Sequence, residues 1–304
     1  MRVGQVERGE LRQRLRRDGV ALRLSPFTVR VRSDLPHLAD DIAAMYRDFD
    51  LLEPGEFVDF HVAVLRSSHW LSRWQGKAEF WFDGQRSFTP LPAAQALAML
   101  EWGINWCIAA HAHQFLLIHA AVLERDGRAL LMPAPPGSGK STLCAALAHR
   151  GWRLLSDELG LLDLDTGRVH GMARPINLKN ASIPLMRAFA PQALFSASMP
   201  NTSKGTVALV RAPDEAIARR HEPAQPAWVV LPAWRADAPT RLTPIERARA
   251  FMDLAEQSFN YDLHGQAGFQ ALGRLVNDCQ CFQFEYSRLD EAVAHFESLT
   301  EAQP

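Results

Sequence analysis

The densest chemistry in the chain lies in the segment Ala134-Pro135-Pro136-Gly137-Ser138-Gly139-Lys140-Ser141-Thr142. It follows the pattern of a glycine-rich loop ending in Gly-Lys-Ser/Thr, with Ala134 where the strict pattern has its first glycine. Gly137 and Gly139 allow backbone angles that a side chain forbids, so the loop amides can converge on phosphate oxygens. The helix that follows adds unsatisfied N–H groups and a partial positive charge. Lys140 is expected to reach the β- and γ-phosphates. The Ser141 hydroxyl is expected to ligate Mg²⁺, a hard cation that prefers oxygen. Residues 136–142 (Pro136, Gly137, Ser138, Gly139, Lys140, Ser141 and Thr142) are therefore the expected binding loop for a nucleoside triphosphate, ATP with Mg²⁺.

Such a loop needs a carboxylate for the metal or for the nucleophile. Asp157 and Glu158 follow a short apolar segment at 153–155, which is expected to lie beside the strand that feeds the loop. An adjacent acidic pair can divide labour, one member holding Mg²⁺ and the other accepting a proton from an attacking hydroxyl. His119 interrupts the apolar run 115–123, and it can hydrogen-bond a carboxylate and tune a base. His111 and His113 are two apart in a helical stretch, so they do not share a face.

These residues must be positioned by a strand, a loop and a helix. Residues 129–132 read as the strand, reached by a hairpin from 115–123 through Arg125-Asp126-Gly127, and residues 141–149 as the helix, closed by Gly151. Strands are expected at 153–155, 159–164 and 228–231, and helices at 244–256, 268–279 and 289–299. Pro244 suits the first turn of its helix. Residues 172–225 read as irregular, with a polar segment Asn201-Thr202-Ser203-Lys204-Gly205-Thr206. Upstream, 27–31, 57–65 and 78–82 alternate apolar and polar residues as half-buried strands do, while 35–45 and 93–110 read as helices. Trp102 and Trp106, four apart, are expected in the core or at an interface.

The motif set resembles the HPr kinase/phosphorylase superfamily. Ile118-His119-Ala120, the hairpin, the phosphate loop and then His149-Arg150-Gly151-Trp152-Arg153-Leu154-Leu155-Ser156-Asp157-Glu158 follow that family's order. Arg174-Pro175-Ile176-Asn177-Leu178-Lys179-Asn180, Lys204-Gly205-Thr206 and Phe259-Asn260-Tyr261 look like the branch called HPr-kinase-related kinase A. The resemblance covers roughly residues 115–290. It implies an α/β fold with a phosphate-loop kinase core like that of HPr kinase and phosphoenolpyruvate carboxykinase, and phosphoryl transfer from ATP to a serine hydroxyl. Carried over, Lys140 binds phosphates, Ser141 and Glu158 hold the metal, Asp157 is the base and His119 supports Asp157. The Asp157/Glu158 division could be reversed, with Asp157 as a metal ligand. Arg174 and Lys179 would neutralise charge on the transferring group. The family has glycine where Ala120 stands and aspartate where Glu158 stands, and its glycine-containing signature after the acidic pair is missing. The implied acceptor is therefore a serine of a protein or peptide, as in peptide-modification gene clusters, rather than HPr itself. A homo-oligomer is expected from the resemblance alone. A small-molecule hydroxyl kinase on the same core and a non-catalytic ATP-gated binding module remain alternatives.

At the scale of the chain, 304 residues with 47% hydrophobic and 22% charged residues suit a globular protein. The expected division is an accessory α+β unit at 1–112 that helps bind or present the acceptor, and the kinase core at 113–304. A net charge of −1 gives no field to attract nucleic acid or a membrane. The basic stretch at 12–17 reads as solvated surface. Four cysteines are too few for a disulfide framework. With no apolar leader and no long apolar run, a cytoplasmic location is expected.

Overall fold

The alternating segments of the first hundred residues pair into one sheet. In the computed structural model, which describes residues 1–301, it contains β1 (Val20–Arg23), β2 (Thr28–Ser33), β3 (Phe60–Arg66), β4 (Lys77–Phe82), β5 (Gln85–Arg86) and β6 (Leu91–Pro92). Val29, Val31, Val62, Val64 and Phe80 are buried along it. The helices of this region are α1 (Arg8–Arg16), α2 (Pro36–Met45), the short α3 (Trp70–Trp74) and α4 (Ala96–His111). The basic stretch expected to be plain surface lies mostly within α1. Its arginines face solvent, while Leu11 and Leu15, four apart, are buried and anchor it.

The second sheet carries the phosphate loop. A hairpin joins β7 (Phe115–Arg125) to β8 (Arg128–Pro133) through Asp126 and Gly127, both with positive φ. After the loop come α5 (Lys140–Ala148), β9 (Arg153–Ser156), β10 (Leu159–Asp163) and β11 (Val169–His170). The stretch expected to be irregular instead contains β12 (Ile176–Lys179), α6 (Ser182–Phe189), β13 (Met199–Thr202), β14 (Gly205–Val210) and α7 (Asp214–Ala218). Its three strands form a small sheet in the order β12-β14-β13. Their brevity hides the period-2 signal. The chain ends with β15 (Gln225–Trp234), β16 (Arg241–Pro244), α8 (Arg247–Glu256), α9 (Tyr261–Asp278), β17 (Gln280–Tyr286) and α10 (Leu289–Glu301). Pro244 ends β16 rather than opening α8, because residues 241–244 pair with β17. Cys279 and Cys281 flank the start of β17, a strand not anticipated, and both thiols are buried and free.

Strand order in the large sheet is β11-β10-β7-β8-β15-β17-β16, with β9 also on β7. β8, β15 and β17 run parallel, so their carboxyl ends share one edge. Contrary to the expectation, β9 does not lie beside β8. It pairs antiparallel with β7 and is thus parallel to β8, one strand removed. The long apolar run of β7 follows from cover on both faces. Leu117, Ala121 and Leu123 join the core beneath α5 and α10, whereas Leu116, Ile118, Ala120 and Val122 join the one beneath α8 and α9.

No strand of the first sheet pairs with one of the second among the described residues. One hydrophobic core nevertheless runs from Val3 to Phe296. Polar ties also cross between the halves: Arg174 pairs with Glu101 in the interior, and Arg211 with Asp48 and Arg220 with Asp50 nearer the surface.

Candidate functional site

β8 ends at Pro133, and the loop turns into α5 at Lys140. Gly137 and Gly139 have φ of +91° and +87°, angles that disfavour any side chain. Gly139 is also confined: a Cβ there would lie 2.4 Å from Tyr286 Oη and 2.9 Å from Trp234 Cβ. Those residues end β17 and β15 and pin the loop. Tyr286 Oη donates to Gly139 O at 3.0 Å, and Trp234 N donates to Ser138 O at 2.9 Å. Pro136 and Gly137 are exposed, whereas Ser138, Gly139, Ser141 and Thr142 are half-buried. The ammonium of Lys140 is buried and finds no acceptor, and Ser138 Oγ is likewise without a partner. Burial holds Lys140 below its ordinary pKa, against the pull of Glu158 and Asp157.

The acidic pair occupies a break between β9 and β10. Val122 pairs with Ser156 and His119 with Leu159, so the register resumes without offset after Asp157 and Glu158. Ser156 Oγ shapes the break by accepting from Leu159 N at 3.0 Å and Glu158 N at 3.4 Å. Asp157 is buried. Its Oδ2 accepts from Asn177 N of β12 at 3.1 Å, and its Oδ1 has no donor. Burial, then Glu158, raises its carboxyl to about 6, opposed by Lys140, the Asn177 amide and the Ser141 hydroxyl.

His119 is set by its backbone. Its N–H donates to Gln257 O at 2.6 Å, while Phe259 N donates to Leu117 O at 2.8 Å. Asn260 completes the clamp, accepting from Leu117 N and donating to Phe115 O, both at 2.9 Å. The Phe259-Asn260-Tyr261 segment thus holds the stretch of β7 that β8 no longer covers. His119 Nδ1 lies 3.5 Å from Glu158 Oε2, so the imidazole meets Glu158 rather than Asp157, its expected partner. Burial first, then Lys140, lowers its pKa to about 4, with Glu158 opposing and Lys204 and Lys179 adding to the shift. The ring is therefore neutral at neutral pH.

Lys179, at the end of β12, acts electrostatically on His119, Lys140 and Lys204 and so belongs to the same group. Lys204, at the β13–β14 turn, was not among the expected site residues, although the Lys204-Gly205-Thr206 motif and its polar surroundings marked the segment. Its ammonium lies 4.9 Å from the Trp102 ring centre. Arg174 is placed otherwise than expected. Its guanidinium is buried, donating to Glu101 at 2.9 Å and to Asn105, while Tyr46 Oη donates to Glu101. These bonds occupy the fork that a phosphoryl group would need, and they fasten α4 to the segment before β12. Tyr286 and Trp234 also escaped the sequence reading, since no local signal marks their approach to the loop, and Asn177 was read only as part of the motif at 174–180, without the bond its amide gives Asp157.

A buried cation without an acceptor, next to Ser141 in the chain, and a buried oxygen without a donor on Asp157, whose carboxyl the Ser141 hydroxyl meets, fit a phosphate chain carrying Mg²⁺. Mg²⁺ usually takes one or two carboxylates together with phosphate oxygens. Beyond the pair, Glu158 and His119 line a cleft of about 470 Å³ that also touches α4, Lys204 and Phe259.

Residues 93–175 match the family model described as "SynChlorMet cassette protein ScmC", a stretch from the start of α4 through the loop and acidic pair. The match spans less than half of the chain. Among solved structures, one described as the Hpr(Ser) kinase/phosphatase from Coxiella burnetii aligns over 62% of this chain and 99% of its own, at 13% identity and a TM-score of 0.28. At that score the likeness bears no weight on the site. No curated protein sequence matches the chain.

Proposed function

We propose that the chain is an ATP- and Mg²⁺-dependent kinase that transfers the γ-phosphoryl group to a serine hydroxyl of a protein or peptide. The observation that carries this reading is the meeting of Lys140, its ammonium unpartnered, with the Asp157–Glu158 pair, whose Glu158 lines a cleft. A binding module has no need of a carboxylate facing such a cleft. In this reading residues 113–304 hold the nucleotide, and residues 1–112 present the acceptor through α4.

The loop amides and Lys140 bind the β- and γ-phosphates. Asp157 and Ser141 are the residues that would hold Mg²⁺, which when bound neutralises phosphate charge and aligns the transferring group. Glu158 takes the proton of the serine hydroxyl. The oxygen attacks the γ-phosphorus, and the bond to the ADP oxygen breaks. Neutral His119 orients Glu158 at 3.5 Å. This division reverses the order that the resemblance implies, because Asp157 is buried beside Ser141 whereas Glu158 faces the cleft. Lys179 and Lys204 offset the developing negative charge. Arg174 acts as a positioning residue through Glu101 and Asn105.

Two variants test the division. Glu158→Gln is expected to keep Mg²⁺-dependent ATP binding while transfer from γ-labelled ATP falls at least about a hundredfold. Asp157→Asn is expected to bind ATP equally with and without Mg²⁺. The opposite pattern would return the base to Asp157, and wild type that binds ATP but labels no acceptor would remove the kinase reading.

A further inference from the structure

The cleft beside Glu158 has a composition of its own. One wall is a single helical face of α4: Trp102, Asn105, Trp106, Ala109 and Ala110 follow the spacing of 3, 4, 7 and 8 residues that lines one side of a helix. The lining also includes Phe259, 51% exposed, and Lys204. Trp106 is 39% exposed. Trp102, Trp106 and Phe259 thus share one lining with His119, Glu158 and Leu159, and that lining is mostly apolar, its polar side chains being His119, Glu158, Asn105 and Lys204. Phe259 meets the His119 ring edge-on at 5.7 Å, so the apolar wall is continuous with the transfer site.

A free amino acid or sugar would bring several polar groups needing partners at once. Here Glu158, His119 and Lys204 are given to the transfer step and Asn105 Oδ1 accepts from Arg174, so few polar groups of the lining remain for such a substrate. Two Trp rings and a Phe ring can instead bury a bulky side chain while the neighbouring hydroxyl reaches Glu158. Resting on the kinase reading, we infer that the acceptor is a peptide segment whose serine stands next to an aromatic or large aliphatic residue, and that Trp106 and Phe259 select that neighbour.

The test uses the full chain with Mg²⁺ and a non-hydrolysable ATP analogue. Fluorescent heptapeptides with a central serine flanked by Phe, Leu, Gln or Glu are titrated, with anisotropy as the readout. The Phe and Leu peptides are expected to bind about ten to a hundred times tighter than the Gln and Glu peptides. Trp106→Ala should erase most of that difference. Ala110→Trp, which fills the cleft without removing a packed ring, should abolish peptide binding with affinity for the ATP analogue unchanged. Affinities within about twofold across the series, no measurable binding, or a preference undiminished in both variants would overturn the inference. Transfer to the same peptides from γ-labelled ATP is scored separately. Preference without transfer contradicts only the kinase reading, and transfer without preference contradicts only the assignment of the cleft.

Discussion

Asp157 and His119 are displaced in opposite directions by the same cause, burial, and this gives the site a testable pH behaviour. The carboxyl of Asp157 titrates near 6 in the fold against an ordinary 3.8. Its contribution to stability is full below 3.8 and is lost as pH rises through 6. His119 titrates near 4 against 6.5, so its contribution is full above 6.5 and is lost as pH falls through 4. Between about 4 and 6 the two slopes oppose each other. Relative to wild type, Asp157→Asn should therefore gain stability as pH rises from 4 to 6, and His119→Gln should lose stability from 4 to 6.5. Urea unfolding of the apo chain at several pH values reads this directly, and flat differences for both variants would contradict it. The contiguous residues 134–142 and 157–158 were legible because one loop and one strand end carry them. Lys204 was legible as part of a motif but not as a site residue, and the true partner of Arg174 was not legible at all, because Glu101 lies 73 positions away and only the packing of α4 brings it in.

Three parallel strands end on the phosphate loop, and two of them grip it. β8 delivers the loop, β15 bonds Ser138 O through Trp234 N, and β17 bonds Gly139 O through Tyr286. Binding in the crevice beyond the carboxyl ends of parallel strands is the general habit of such sheets. Tyr286→Phe deletes one hydrogen bond but keeps the ring stacked on Phe284, with centroids 5.3 Å apart. A hydrogen bond of this kind is worth about 1 kcal/mol. ATP affinity should fall roughly fivefold without loss of fold, and unchanged affinity by calorimetry would show that Tyr286 does not hold the loop. The long elements were readable from periodicity: the hairpin β7–β8, α4, α5 and α10 lie close to their expected bounds. Short strands were not, since β12 and β13 span four residues each and β14 six, within a Pro-rich stretch. β17 was hidden for another reason: Gln280, Gln283 and Glu285 break its apolar run, while Cys281, Phe284 and Tyr286 are buried.

At the scale of the molecule, a mixed α/β fold places two sheets around one shared core, with α4 between the phosphate-loop half and the first sheet. Helix α4 has two duties that its sequence does not separate. Glu101 and Asn105 lock Arg174 in the interior, and Trp102 and Trp106 face the cleft. A net charge near zero conceals the local balance, in which Lys140, Lys179 and Lys204 surround Asp157 and Glu158. That local excess of positive charge suits a polyphosphate, although the whole chain presents no strong field. No helix among the described residues is long and apolar enough to cross a membrane.

The central claim is that Lys140 sits in a nucleotide site that serves phosphoryl transfer to serine. The most direct measurement is transfer from γ-labelled ATP with Mg²⁺ into lysate from the source organism, with wild type beside Lys140→Ala. The account predicts a labelled protein or peptide with wild type, carrying phosphoserine on hydrolysis, and none with Lys140→Ala. Label that persists with Lys140→Ala, or wild type that binds ATP and labels nothing, would contradict it.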